Sequence, residues 1–137
     1  MAQINSYLTF SGNCREAMMF YKECFGGELF FQTIGASPLA AKLPAKMKKC
    51  ILHATLKKDD LLLLASDMAP APALIKGNAI SLSLNCNSEE EIKMYYQKLS
   101  EGGKKNHPLE NTFWGATFGG LTDKFGNHWL LNYEKNH

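Results

Sequence analysis

His53 is the side chain with the widest chemical reach in this sequence. It stands in CILHATLK, an alternating run that puts Leu52, Ala54 and Leu56 on one side of a strand and His53 and Thr55 on the other. An imidazole changes charge near neutral pH, so His53 could move a proton for a bound molecule; it could equally be a structural histidine bonded to a neighbouring strand. Of the other histidines, His107 precedes Pro108 in an expected loop, His128 follows an expected turn, and His137 is terminal. All three read as outside any site. The same alternation places Ser6 and Leu8 on one face with Ser81 and Ser83, and adds Leu130 and Asn132 from the last strand. With His53 and Thr55 these residues are expected to line a cavity. Trp114, after Phe113, could stack on a ligand there or close the end of the barrel.

Other chemistries find little to work with. No serine sits in a GxSxG elbow, no cysteine has a histidine beside it in sequence, and no Walker loop or GxGxxG offers a nucleotide handle. Cys14, Cys24, Cys50 and Cys86 show neither CxxC pairing nor zinc-finger spacing. They read as small buried hydrophobes of a reduced, cytoplasmic protein. A net charge of +2, with Lys46, Lys48 and Lys49 as the densest basic cluster, gives no reason to expect nucleic acid or an anionic membrane as a partner. The start MAQINSYLTF lacks the pattern of a signal peptide, and no apolar run approaches the length of a membrane span. Glu89, Glu90 and Glu91 fall in the first turn of an expected helix, where they favour the helix dipole more than they suggest a catalytic cluster.

The elements that must hold these residues occur twice. A shift of 75 positions lays Ser6 on Ser81, Glu16 on Glu91, Met19 on Met94, Tyr21 on Tyr96 and Gly27 on Gly102. Each copy reads as a strand, a polar turn, an amphipathic helix and a glycine stop. Asn13 with Glu16, and Ser88 with Glu91, have capping-box spacing. Strands are expected over residues 4–10, 28–33, 50–57, 61–66, 79–85, 104–106, 113–121 and 128–133. A mobile loop is expected over 35–49, and Asp67 is expected to cap the linker that it opens. The order βαβββ, repeated, defines an α+β fold in a single domain: one module over 1–66, a Pro-rich linker over 67–77, and a second module over 78–137. Together they are expected to form a curved eight-stranded mixed sheet whose concave face holds a ligand.

SYLTFSGNCREAMMFYKECFGGEL, ILHATL with LLLLASDM, and NTFWGATFGGLTDKFGNHWLLN resemble the PhnB-like proteins of the vicinal oxygen chelate superfamily, which includes glyoxalase I, bleomycin-resistance proteins and extradiol dioxygenases. The resemblance implies paired βαβββ modules, a homodimer, and in active members a divalent metal that chelates two neighbouring substrate oxygens. It would place ligands on the first strand of each module, here Ser6 and Ser81, and on the last strand of each, here Leu130 and the Leu61–Leu64 run. Hydroxyls and leucines are poor partners for such an ion, so no metal or other cofactor is expected at the standard site. The expected function is metal-free binding of a small molecule. One alternative is a glyoxalase- or dioxygenase-type enzyme using His53 as acid–base or with a non-standard metal site that includes the 35–49 loop. Another is an interaction module that works through its dimer surface.

Overall fold

The two amphipathic patterns become helices of equal length at the expected 75-residue spacing. In the computed structural model, which describes residues 2–67 and 74–135, α1 spans Cys14–Phe25 and α2 spans Glu89–Ser100. Ala17, Tyr21 and Cys24 of α1, and the matching Ile92, Tyr96 and Leu99 of α2, are buried against the sheets. Both helices stop at glycines of positive φ, Gly26 and Gly27 after α1 and Gly102 after α2.

The eight strands are β1 (Ser6–Phe10), β2 (Glu28–Thr33), β3 (Ile51–Lys58), β4 (Leu61–Asp67), β5 (Leu82–Asn85), β6 (Lys104–Asn111), β7 (Ala116–Thr122) and β8 (His128–Glu134). They form two four-stranded mixed sheets, ordered β1-β4-β3-β2 and β5-β8-β7-β6. In each sheet the first strand runs parallel to the last, and the other pairs are antiparallel. The chain divides into two compact units, Met1–Ile75 and Lys76–His137. Asp67 closes β4, most of the expected linker (residues 68–73) lies outside the described residues, and so does His137.

The helices are capped differently. Ser88 Oγ accepts from the Glu91 amide at 3.0 Å, and the Glu91 carboxylate accepts from the Asn87 amide at 2.9 Å. Asn13 makes no side-chain cap. Its place is taken by Asp67, 53 residues beyond Cys14, whose Oδ1 accepts from the Gly12 and Cys14 amides and whose Oδ2 accepts from Ile51, each at 2.9 Å. Asp67 therefore caps α1 and fastens it to β3 and β4; most of the linker that it was expected to cap lies outside the described residues.

Three expectations need correction. The 35–49 segment is not without structure: it carries two 3-10 turns, Pro38–Ala41 and Ala45–Met47, and its ends are tied by Gly35 N–H to Lys48 carbonyl and Ile34 N–H to Cys50 carbonyl. β6 runs to Asn111, past His107 and Pro108, because the ladder to β7 absorbs a bulge on each side of His107 and an edge strand tolerates a proline that donates nothing. Phe113 and Trp114 accordingly lie in the turn between β6 and β7, not in a strand.

Candidate functional site

Register decides which expected site residues share a face. In the first sheet Ser6 pairs with Leu63 and Leu8 with Ala65, while β3 sets Leu56 beside Leu63 and Ala54 beside Ala65. Leu63, Ala65, Ala54 and Leu56 form the buried face. The Arg15 guanidinium of α1 lies 4.8 Å from the centroid of the Phe31 ring, and Phe31 pairs with Ala54, which identifies that face as the helix-bearing one. Ser6 and Leu8 therefore belong to the helix side, opposite His53 and Thr55. On β3 the buried apolar set is Ile51, Ala54 and Leu56, because the irregularity at Gln32 and Thr33 leaves Leu52 only half-buried. His53 and Thr55 do share the open face, where Nε2 of the imidazole lies 3.2 Å from the Thr55 hydroxyl.

The second sheet keeps more of the expected grouping. Ser83 pairs with Leu130 and Asn85 with Asn132, and their in-between neighbours Leu82 and Leu84 pair with Trp129 and Leu131 of the buried face. Ser83, Leu130 and Asn132 thus stand on the open face. Ser81, just before β5, joins Leu130 at one end of it, lining a hollow of about 190 Å³. Asn132 lines a second, of about 250 Å³, with Asn85, Asn87 and Glu134. Trp114 lies on the hairpin tip, edge-on to Phe113 at 4.9 Å and 58% exposed.

The first hollow contains residues that sequence reasoning set aside. Asn106 and His107 reach it from β6, His128 and Leu130 from β8, Gly120 from β7, and Asn78 with Ser81 from the segment before β5. Consecutive strand residues normally face opposite ways. Here the bulge between Lys104 and His107 sets one extra residue against β7, and both Asn106 and His107 line the hollow. Gly120 leaves room: a Cβ there would stand 3.2 Å from Leu130 Cδ2 and 3.5 Å from His107 Cδ2. Behind the sheet Gly119 has a separate reason, since its Cβ would fall 2.7 Å from Leu109 Cδ2 and 3.1 Å from the Tyr96 ring. The Tyr96 hydroxyl lies within hydrogen-bonding distance of the His107 and Gly120 carbonyls, and burial pushes its pKa up.

His128 is held at both nitrogens. Nδ1 lies 3.0 Å from the Thr122 hydroxyl, which itself lies 2.8 Å from Asn106 Oδ1, and Nε2 lies 3.2 Å from the Gly77 carbonyl. Asp123 fixes the turn below: Oδ1 accepts from the Phe125 and Asn127 amides and Oδ2 from the Trp129 indole at 2.8 Å, with the residue 2% exposed. The Lys76 ammonium donates to Asn127 Oδ1; burial lowers its pKa and the Asp123 charge opposes that shift. A motif search would not have singled out this group, because a bulge and a buried turn bring it together. The available signals were Gly119-Gly120 inside a strand and Pro108 inside another.

With the geometry described, comparison with known proteins identifies the chain. The family model described as 3-demethylubiquinone-9 3-methyltransferase matches residues 2–132, and the chain belongs to this PhnB-like family. Protein YjdN of Escherichia coli K12 is 31% identical over 96% of this chain and 95% of its own. Protein PA1353 of Pseudomonas aeruginosa has a solved structure that is 41% identical, covers 98% of each chain and superposes with a TM-score of 0.86. A Bacillus cereus structure described as a putative 3-demethylubiquinone-9 3-methyltransferase, PhnB protein, is 26% identical over 96% of this chain and 99% of its own, with a TM-score of 0.74. The fold extends to a glyoxalase-related enzyme of Fulvimarina pelagi, 17% identical with a TM-score of 0.63 over 98% of this chain and 89% of its own. The chain is therefore a PhnB-like member of the glyoxalase and bleomycin-resistance fold group.

Proposed function

We propose that this protein binds a small organic molecule on the open face of its second sheet, holding it by hydrogen bonds and not by chelation to a metal ion. The observation that carries this reading is the hollow over Gly120, where Ser81, Asn106, His107 and His128 converge from separate segments beside Leu130. Concave sites with a few convergent polar groups on an apolar floor are the usual form of a small-ligand site.

The donor chemistry supports the metal-free part. Ser81 and Leu130 stand where the resemblance would place ligands in the second module, and Ser6 is on the helix side of the first sheet. Both ring nitrogens of His128 already face protein partners, and among the described residues no three His, Cys, Asp or Glu side chains gather closely enough to hold an ion. The residues present do not fit the superfamily's metal. Homodimer formation and a cytoplasmic location are part of the same proposal. Tyr7, Phe30 and Ile80 are exposed apolar side chains available to a second copy, and the buried thiols of Cys14, Cys24 and Cys86 suit a reducing compartment.

A second reading rests on the His53–Thr55 pair. A hydroxyl beside the imidazole can fix its tautomer, which would make His53 an acid–base group for an enzyme of the glyoxalase or dioxygenase type.

The test is a thermal-shift and calorimetry screen of the purified protein against small polar metabolites, repeated with Ser81→Trp and His53→Gln. A ligand at one hundred times its Kd adds about 2.7 kcal/mol to folded-state stability. Binding lost in Ser81→Trp and kept in His53→Gln supports the leading reading. Binding or turnover lost only in His53→Gln replaces it with the second. Stoichiometric zinc, nickel or manganese in elemental analysis overturns the metal-free assignment.

A further inference from the structure

The hollow over Gly120 has a chemical bias that narrows the class of its ligand. Its lining includes two imidazoles, two carboxamides and one hydroxyl, and no acidic side chain. Asp123, in the turn before β8, is buried and turned to the amides of its own turn and to the Trp129 indole. Two lysines flank residues of this group: Lys104 pairs with Thr122 in the β6–β7 ladder, and Lys76 is bonded to Asn127, the residue before His128. Leu130 supplies an apolar wall.

The hydrogen-bond chain adds a proton-counting argument. A carbonyl can only accept, so His128 Nε2 must carry the proton that reaches Gly77. The Thr122 hydroxyl has one proton and two neighbours, Asn106 Oδ1 and His128 Nδ1. Two complete arrangements exist. In one, Thr122 donates to His128, the ring is neutral, and Asn106 turns its NH2 toward Thr122 and its oxygen toward the hollow. In the other, Thr122 donates to Asn106, Nδ1 carries a second proton, and Asn106 presents N–H donors to the hollow. The first arrangement repels an anion and the second attracts one.

We infer that this hollow receives the carboxylate of a small organic acid, and that binding turns Asn106 and adds one proton to His128. The inference rests on the proposed ligand-binding reading and specifies its ligand. One imidazolium balances one negative charge, and a volume of about 190 Å³ beside Leu130 accommodates a short apolar tail. His107 stands at the rim as a second donor. The titratable and charged groups around His128 are His107, Lys104, Lys76 and the buried Asp123.

The experiment is isothermal titration of the full chain near pH 7 with monocarboxylic acids of three to six carbons and their primary amides. Each titration is run in two buffers of different ionisation enthalpy, on the wild type, Thr122→Val and His128→Gln. At least one acid is expected to bind tenfold or more tighter than its amide, with net proton uptake between zero and one. In His128→Gln and Thr122→Val the uptake disappears and the acid loses most of its advantage. Amides that bind as tightly as acids overturn the carboxylate assignment and leave the ligand-binding reading standing. Acid preference with unchanged uptake in both variants overturns the role of His128. If acids and amides both fail to bind, and the broad metabolite screen finds nothing sensitive to Ser81→Trp, both readings fall.

Discussion

Replacing Asp67 by alanine removes one acceptor group from three backbone donors at once. Oδ1 serves Gly12 and Cys14 at the start of α1, and Oδ2 serves Ile51 at the start of β3, all at 2.9 Å. Cys14 and Ile51 are fully buried, so their amides cannot readily turn to water. Losing a helix cap costs about 0.5–2 kcal/mol, and a buried donor left unpaired costs about 1–3 kcal/mol. The sum, about 3 kcal/mol, corresponds to a fall of roughly 10 °C in Tm for a chain of this size. Asp67→Asn separates the two parts. Its oxygen can still cap α1, while its NH2 meets the Ile51 amide donor to donor, so roughly half the loss should remain. Urea denaturation gives the free energies, and native-state hydrogen exchange of the Cys14 and Ile51 amides shows where protection is lost. An alanine variant within about 0.5 kcal/mol of wild type would refute the cap and the reasoning behind it.

Other expectations follow from particular contacts. Gly119→Ala forces a methyl against Leu109 and the Tyr96 ring and should cost about 1–3 kcal/mol in the same urea assay. Gly120→Ala is tight only against the movable end of Leu130 at 3.2 Å, with His107 at ordinary contact distance; it should cost less than about 1 kcal/mol while weakening ligand binding by narrowing the hollow. Ser88→Ala should remove about 1 kcal/mol from α2. Burial, aided by the charges of Asp67 and Glu91 respectively, pushes the Cys14 and Cys86 thiols from 9.0 up to about 12. At pH 8 each should be roughly one part in ten thousand thiolate, so iodoacetamide should label the partly exposed Cys50 first and these two only on unfolding. Because both folded-state values lie above the unfolded one, the stability they contribute is intact below pH 9 and declines as pH rises toward 12. A urea midpoint that stays constant over that interval would contradict this.

Helices, glycine stops and strand order were legible because each depends on local rules: period, cap and turn chemistry. The Ser88 hydroxyl caps the Glu91 amide as the spacing says, while the Glu91 carboxylate reaches one residue further back, to the Asn87 amide. Asn13 and Glu16 have the same spacing, yet Asn13 makes no side-chain cap; the amides on either side of it, Gly12 and Cys14, donate to a carboxylate distant in sequence. Strand facing was less legible. The 75-residue shift holds through the helices, yet Phe10, which it lays on Asn85, is buried, whereas Asn85 is exposed and its neighbours Leu84 and Cys86 lie inward. Three residues separate buried Phe10 from α1, and two separate buried Cys86 from α2. Gly12, at φ 94°, lies within the longer connection. One residue of slip reverses a strand's faces, which is why Ser6 and Leu8 part from the rest of the expected site while Ser83 stays. His107 and His128 were missed because a proline and a turn read as loop, whereas a bulged edge strand and a buried Asp123 hold them in ordered positions.

That slip gives gene duplication a cheap source of novelty. A copy that gains or drops a single codon ahead of its helix keeps every helix-to-sheet contact in type, yet exposes the alternate half of its strand to the surroundings. The two halves of this protein can therefore diverge in what they recognise without either having to evolve a new scaffold, and an alignment of the halves that forbids gaps will match residues that never perform the same task.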